Sequence, residues 1–167
     1  MKYLFMSLIL ISCGYQKQQA SDMISKQITE AVDPRKNHSI DERILPYYKR
    51  FEKLFSTKIV DIPASFKDLE SRVLGKCVLW SIGDSVLFRE IFISPKIHNR
   101  TDLEKEVIIF HELGHCQLLR SHENTYILTD DYDFIPSSIM FPTTIGGKEY
   151  YKPLRDYYHK ELIRYVK

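Results

Sequence analysis

The clearest pattern of apolar and polar positions in the chain lies between residues 101 and 118. Apolar or small residues recur there every three or four positions, as on one face of an α-helix; they are Leu103, Val107, Phe110, Gly114 and Leu118. Thr101 and Glu104 have the spacing of a capping box, which predicts that the helix begins just after Thr101. A glycine inside a helix costs about 1 kcal/mol relative to alanine. Gly114 therefore predicts that another piece of backbone comes close to the helix at that point.

The other patterns predict an α+β domain over residues 41–167. Residues 41–55 have apolar side chains at helical spacing, with Pro46 in the first turn, where a proline is tolerated. Runs rich in β-branched and aromatic residues predict strands at residues 58–62, 76–81 and 86–94. A last helix is predicted from residue 150 onward, opened by Pro153. We expect a twisted, mixed sheet of about four strands packed on the helix of residues 101–118, with one helix before it and one after it.

Three of the six histidines lie between residues 111 and 122. His111, Glu112 and His115 form the pattern H-E-x-x-H. A step of four residues turns a helix by ~400°, so the two imidazoles lie on one face, ~6 Å apart along the axis. Such a pair can bind one metal ion, and zinc is the ion that best fits nitrogen ligands. Glu112 lies beside that position, where its carboxylate can take a proton from water. The alternative is a solvated helix face with two unrelated histidines.

The residues that follow extend this pattern. His122 comes seven positions after His115, and Met140 lies in the segment S-I-M-F-P further on. The arrangement resembles the metzincin metallopeptidases, in which H-E-x-x-H-x-x-G-x-x-H precedes a tight turn around a methionine. It is most similar to small metzincin-like peptidases among bacterial lipoproteins. The resemblance implies a small zincin fold, zinc bound by His111, His115 and His122, Glu112 as general base and Met140 as the Met-turn residue. It also implies hydrolysis of peptide bonds in a peptide or protein substrate.

Two positions depart from the family pattern. Leu118 stands where the family has the glycine that lets the chain leave the helix, and the third histidine comes one residue late because position 121 is Ser121. We expect the helix to run about one residue longer before the chain turns back to present His122. Other third ligands stay open; they are Glu123, Asp130, Asp131, Asp133, Glu149 and Glu161. A tyrosine that steadies the transition state also stays open, among Tyr126, Tyr132, Tyr150 and Tyr151.

The N-terminus has the pattern of a targeting segment. Residues 3–11 form an apolar run that is too short to span a bilayer as a helix. The segment L-I-S-C that ends at Cys13 resembles a bacterial lipobox, which implies a signal peptide over residues 1–12 and lipidation of Cys13. With Gly14 as the next residue, the resemblance implies an outer-membrane lipoprotein, periplasmic or surface-exposed. An ordinary secretory signal is the alternative. The polar residues 13–40 are predicted to be a flexible tether.

Charge and cysteine content refine the picture. The net charge of +2 is spread along the chain, so nucleic acid is not predicted as a partner, and we expect a monomer. Cys77 and Cys116 are predicted either to form a disulfide that joins the sheet to the metal-site helix or to stay as two buried thiols. We expect a peptide substrate to lie along the edge of strand 76–81 or strand 86–94. Two other functions stay open, namely a lipid-anchored zinc-binding protein without activity and a lipoprotein without metal.

Overall fold

A computed structural model describes residues 16–19, 39–83, 85–129, 133–145 and 147–164. The predicted signal peptide and Cys13 lie outside the described residues, as do Asp130, Asp131 and Tyr132. The described α-helices are α1 Leu45–Phe55, α2 Asp102–Cys116 and α3 Arg155–Ile163. The strands are β1 Gln16–Gln19, β2 Ala64–Phe66, β3 Gly75–Ile82, β4 Ser85–Ile93, β5 Tyr126–Leu128 and β6 Phe134–Pro136. A 3-10 turn, Pro95–Ile97, and a π-helical turn, Gly147–Tyr151, complete the elements. The α+β prediction is confirmed.

The main sheet has four strands in the order β1-β3-β4-β2. β3 and β4 form an antiparallel hairpin, in which Gly75 pairs with Ile93. β1 runs parallel to β3 beside residues 78–81, and β2 runs parallel to β4 beside residues 91–93. The sheet is therefore mixed, as predicted, and both strands suggested as the substrate edge are covered over part of their length. The tether predicted for residues 13–40 includes β1, which the sequence did not indicate as a strand.

Two local predictions need correction. The strand predicted at residues 58–62 is wrong, because β2 begins only at Ala64, after Pro63. Asp61 has a left-handed backbone (φ 54°), and the N–H of Ile59 donates to the Glu52 carboxylate at 3.0 Å instead of to a strand. The last α-helix begins at Arg155, later than predicted, and follows the π-helical turn. The second sheet, β5 paired antiparallel with β6, was not predicted.

Helix α2 lies at the centre of the domain. Its capping box is formed as predicted: Thr101 Oγ1 accepts from the N–H of Glu104, and the Glu104 carboxylate accepts from the N–H of Thr101. Every residue from Glu106 to Cys116 is buried. A disulfide joins Cys116, at the end of the helix, to Cys77 in β3. The helix that carries the histidines is thus held to the sheet by packing and by a covalent bond. Among the described residues, no helix has the length and apolar character needed to cross a bilayer.

The close approach predicted at Gly114 exists, but a side chain makes it and not a backbone segment. A Cβ atom added to Gly114 would lie 2.3 Å from Sδ of Met140 and 3.3 Å from Cδ1 of Leu162. Both neighbours are fully buried. Glycine is favoured at this position because the Met140 side chain occupies the space that a methyl group would need.

Candidate metal centre

The three histidines of the extended motif come together. His111 and His115 lie one turn apart on α2, and their Nε2 atoms are 3.1 Å apart. Nε2 of His122 lies 3.1 Å from Nε2 of His115. One ring nitrogen from each residue lies within 4.8 Å of the others, and among the described residues this is the single group of three or more ligand side chains that converge in this way.

Backbone carbonyls set the tautomers of both helical histidines. Nδ1 of His111 lies 2.8 Å from the carbonyl oxygen of Ile139, and Nδ1 of His115 lies 2.7 Å from that of Arg120. A carbonyl oxygen only accepts, so each Nδ1 carries the proton and each Nε2 keeps a lone pair. Two lone pairs facing one another across 3.1 Å repel unless a cation lies near both. A carbonyl behind each ring is also the usual support of a metal-bound imidazole.

Burial keeps the imidazoles neutral. It lowers the pKa of His111 to about 4. The pKa of His115 is lowered to about 3, mainly by burial and in addition by the proximity of His111. Burial also lowers the pKa of His122. Neutral imidazole is the form that binds a metal ion, so the environment favours the ligand form of all three side chains. The donor set fits zinc.

His122 reaches the site because the end of α2 is widened. The N–H of Leu118 donates to the carbonyl of Leu113, five residues back, and the N–H of Arg120 donates to that of Gly114, six residues back. Leu119 then takes a left-handed conformation with φ 54°. Helix α2 itself ends at Cys116, and the left-handed residue that turns the chain towards His122 comes one position after Leu118. That shift accommodates the extra residue before His122.

Met140 lies in a tight turn beneath the histidines. The N–H of Phe141 donates to the carbonyl of Ser138, and the N–H of Met140 donates to Oγ of Ser138 at 3.0 Å. The carbonyl of Met140 accepts from the N–H of Glu123, next to His122. The turn thus supports both the helix, through the contact of Met140 with Gly114, and the segment that presents the third histidine.

Glu112 is buried beside the histidines and against the start of β3. Burial raises the pKa of its carboxyl to about 8, and the backbone N–H of Cys77, which donates to it, acts in the opposite direction. A Cβ atom on Gly75 would lie 2.5 Å from Oε1 of Glu112. The absence of a side chain at residue 75 therefore gives this carboxylate its position. No sequence pattern marks Gly75, because only the folded chain brings it to the helix.

A cavity of about 340 Å³ adjoins His111 and Glu112. Three segments line it: residues 72–75 at the start of β3, one face of α2, and residues 139 and 141–144 on either side of Met140. Its wall is mostly apolar, with Val107, Ile108, Ile139, Phe141 and Pro142, and it includes the hydroxyls of Thr143 and Thr144. Arg72, an exposed cation, is also in the lining. His111 and Glu112 thus face a space that can receive a side chain or a short peptide segment.

The other candidate ligands are engaged or exposed elsewhere. Glu161 accepts hydrogen bonds from Arg120 and Ser138. Glu123 accepts from the hydroxyl of Thr125 at 2.9 Å. Glu149 and Asp133 are exposed. Neither they nor Glu123 and Glu161 belong to the converging group of side chains.

The described candidate tyrosines lie in three different environments. The hydroxyl of Tyr151 donates to Glu106 at 2.7 Å, within a buried cluster on the opposite side of α2. Tyr150 is exposed. The Tyr126 ring packs on Phe141 with centroids 5.0 Å apart, and Phe141 lines the cavity. Tyr126 therefore contacts a residue of the cavity wall.

The resemblance to metzincins is carried by residues 111–140 alone, with Leu118 at the position of the glycine and His122 one residue late. Comparisons with protein-family models, with curated proteins and with solved structures found no match to this chain.

Proposed function

We propose that the chain is a zinc-dependent endopeptidase of the metzincin-like type. One observation carries the proposal: two imidazole lone pairs, oriented by backbone carbonyls, converge with His122 beside the buried carboxylate of Glu112. A site with a purely structural ion has no use for a carboxylate in that position. The position of Met140 under the helix supports the resemblance to metzincins.

Each side chain has a distinct role in this proposal. His111, His115 and His122 would hold the ion. Zinc bound there would act as a Lewis acid and would lower the pKa of a water molecule to ~7. Glu112 would accept the proton of the attacking water on its carboxylate, the form that the charge of a nearby zinc ion would favour despite burial, and would then deliver it to the leaving amine. Gly75 keeps the carboxylate close to the histidines, because no side chain at residue 75 displaces it.

In this proposal the substrate binds in the cavity beside His111 and Glu112. Its apolar wall suits an apolar side chain next to the scissile bond. The substrate backbone would run extended alongside the start of β3, where main-chain groups can hydrogen-bond it. We expect a peptide or protein substrate, because a strand edge recognises any polypeptide backbone and the lining supplies side-chain preference.

The test combines metal analysis with cleavage of a mixed peptide library. The purified protein should contain about one zinc per chain and should cleave peptides in a reaction that a zinc chelator blocks. Glu112→Ala should keep the zinc and lose turnover, and His111→Ala should lose the zinc. Asp102→Asn, at an exposed carboxylate of the same helix, is the matched control and should keep both. Retained cleavage by Glu112→Ala would refute the mechanism.

A second function is favoured by the shifted third histidine. A lipid-anchored protein that binds zinc without hydrolysis needs the three imidazoles but not a well-placed base. It predicts one zinc per chain, no cleavage of any peptide in the library, and no effect of Glu112→Ala beyond stability. The same experiment therefore separates the two functions.

We also propose that the protein is attached to the bacterial envelope through lipidated Cys13. The disulfide between Cys77 and Cys116 supports an oxidising compartment. Cys13→Ser should move the protein from the membrane fraction to the soluble fraction of the host cell. A variant that stays in the membrane fraction would contradict the anchor.

A further inference from the structure

The two carbonyls that orient the histidines belong to two separate segments. The carbonyl of Arg120 lies in the metal loop, which we define as residues 117–122. The carbonyl of Ile139 lies in the Met turn, which we define as residues 138–141. Neither segment is part of a helix or strand. Other contacts must therefore hold each carbonyl at its distance from the imidazole.

A single carboxylate on α3 contacts both segments. Nη2 of Arg120 donates to Oε1 of Glu161 at 2.6 Å, and the hydroxyl of Ser138 donates to Oε2 at 2.5 Å. Nη1 of Arg120 also donates to the carbonyls of Glu161 and Leu162, at 3.1 and 3.0 Å. Both charged side chains are largely buried, at 8% and 11% exposure. Charge-assisted bonds with little access of water are short and directional.

We propose that Glu161 is a positioning residue for the metal centre. Through Arg120 it fixes the carbonyl behind His115, and through Ser138 it fixes the turn whose next carbonyl lies behind His111. One side chain thereby couples the supports of both helical ligands. This inference rests on the zinc-binding part of the proposed function and not on catalysis.

The alternative is that Glu161 only anchors α3 to the domain. Arg155 offers a matched comparison, because it lies at the other end of the same helix and donates two bonds to the buried carboxylate of Glu106, at 2.8 and 2.7 Å. Glu106 lies on the side of α2 away from the histidines. Arg155→Gln should therefore loosen α3 without moving either carbonyl.

The experiment measures zinc affinity by competition with a chromogenic chelator, and the stability of the metal-free protein by urea unfolding. Glu161→Ala should weaken zinc binding by about tenfold, the lower end of the effect of removing an outer-shell partner. Arg155→Gln should lower stability and leave zinc affinity unchanged. The visible spectrum of the cobalt-substituted protein should change in Glu161→Ala and not in Arg155→Gln.

A milder variant covers the case in which Glu161→Ala does not fold. Glu161→Gln keeps one acceptor oxygen for Arg120 and should weaken zinc binding by a smaller factor, with the same change in the cobalt spectrum. Wild-type zinc affinity and an unchanged spectrum in the folded Glu161 variants would overturn the inference and leave the proposed function intact. A wild-type protein that binds no zinc would overturn both.

Discussion

Substitution of Gly114 by alanine should have opposite effects on the free energy of unfolding in the wild-type protein and in a Met140→Ala variant. The new Cβ would lie 2.3 Å from Sδ and 3.0 Å from Cε of Met140, whereas carbon atoms in contact are ~3.5–4.0 Å apart. Overpacking of this kind costs about 1–3 kcal/mol, and alanine returns about 1 kcal/mol of helix propensity. We therefore expect Gly114→Ala to lower the free energy of unfolding by roughly 1 kcal/mol in the wild-type background.

Removal of the Met140 side chain should reverse the sign of the effect that Gly114→Ala has on the free energy of unfolding. Met140→Ala alone should cost about 2–5 kcal/mol, since a buried thioether chain is lost. In that background the clash is absent, and Gly114→Ala should raise the free energy of unfolding by up to about 1 kcal/mol. The coupling between the two substitutions is then about 2 kcal/mol, well above the error of a double-mutant cycle.

The assay is urea unfolding of four metal-free proteins: wild type, the two single variants and the double variant. The slope of the unfolding free energy with urea should be the same for all four, so that the midpoints report stability. If Gly114→Ala has the same effect with and without Met140, the Met140 side chain does not occupy the space above Gly114. The proposed packing of the Met turn under the helix would then be wrong.

Three further predictions concern the site, the metal loop and the buried charge. Gly75→Ala should lower turnover about 100-fold with zinc content unchanged, because its Cβ would displace the Glu112 carboxylate. Leu119→Gly should be about 1 kcal/mol more stable than Leu119→Ala, because residue 119 has a positive φ. For Glu106, burial raises the pKa of the carboxyl, but hydrogen bonds from His159, Arg155 and other neighbours outweigh it and hold the pKa well below its usual value. The ionised Glu106 carboxylate therefore stabilises the fold at neutral pH, and this stabilisation is lost as the pH falls below about 4.5, the pKa of the carboxyl in the unfolded chain. Glu106→Gln should be about 3 kcal/mol less stable than wild type at pH 7 and should lose less stability than wild type in acid.

Each of these predictions has its own control. Gly83→Ala should keep turnover, because nothing lies within 4 Å of the added Cβ, although the positive φ of residue 83 (56°) should make this variant about 1 kcal/mol less stable. Equal losses of turnover at residues 75 and 83 would exclude a specific clash. At Lys49, exposed within α1, alanine should be more stable than glycine by about 1 kcal/mol. If the alanine variant were also more stable than the glycine variant at Leu119, the left-handed conformation of that residue would be contradicted. Parallel pH profiles of wild type and Glu106→Gln, measured by thermal unfolding, would show that the carboxylate is not responsible for acid sensitivity.

Local sequence signals were sufficient for the elements on which the site is built. The capping box of Thr101 and Glu104 and the four-residue step between His111 and His115 depend only on helix geometry, and both gave the observed arrangement. The β3–β4 hairpin was predicted within about one residue at each end, because its apolar runs are long and bounded by a turn.

The errors arise where distant residues decide the conformation. No signal near residue 58 shows that Asp61 adopts a left-handed backbone, and three-residue strands such as β5 are too short to show a periodicity. Glu161 was a candidate ligand because it is a carboxylate downstream of the motif. Its actual partner, Arg120, lies 41 positions away, and only tertiary packing brings the two together. Leu119 illustrates the same limit, since a left-handed leucine has no sequence signature.

The complete burial of α2 from Glu106 to Cys116 has an evolutionary consequence. A helix on a protein surface accepts substitutions with a rhythm of about 3.6 residues, because one side always faces water. This helix has no such side after its first turn, and its inner surfaces meet the sheet, the Met turn and two other helices. A saturation mutagenesis library should therefore give one unbroken block of intolerant positions, and sequence drift within this helix should be confined to Asp102 and its immediate neighbours.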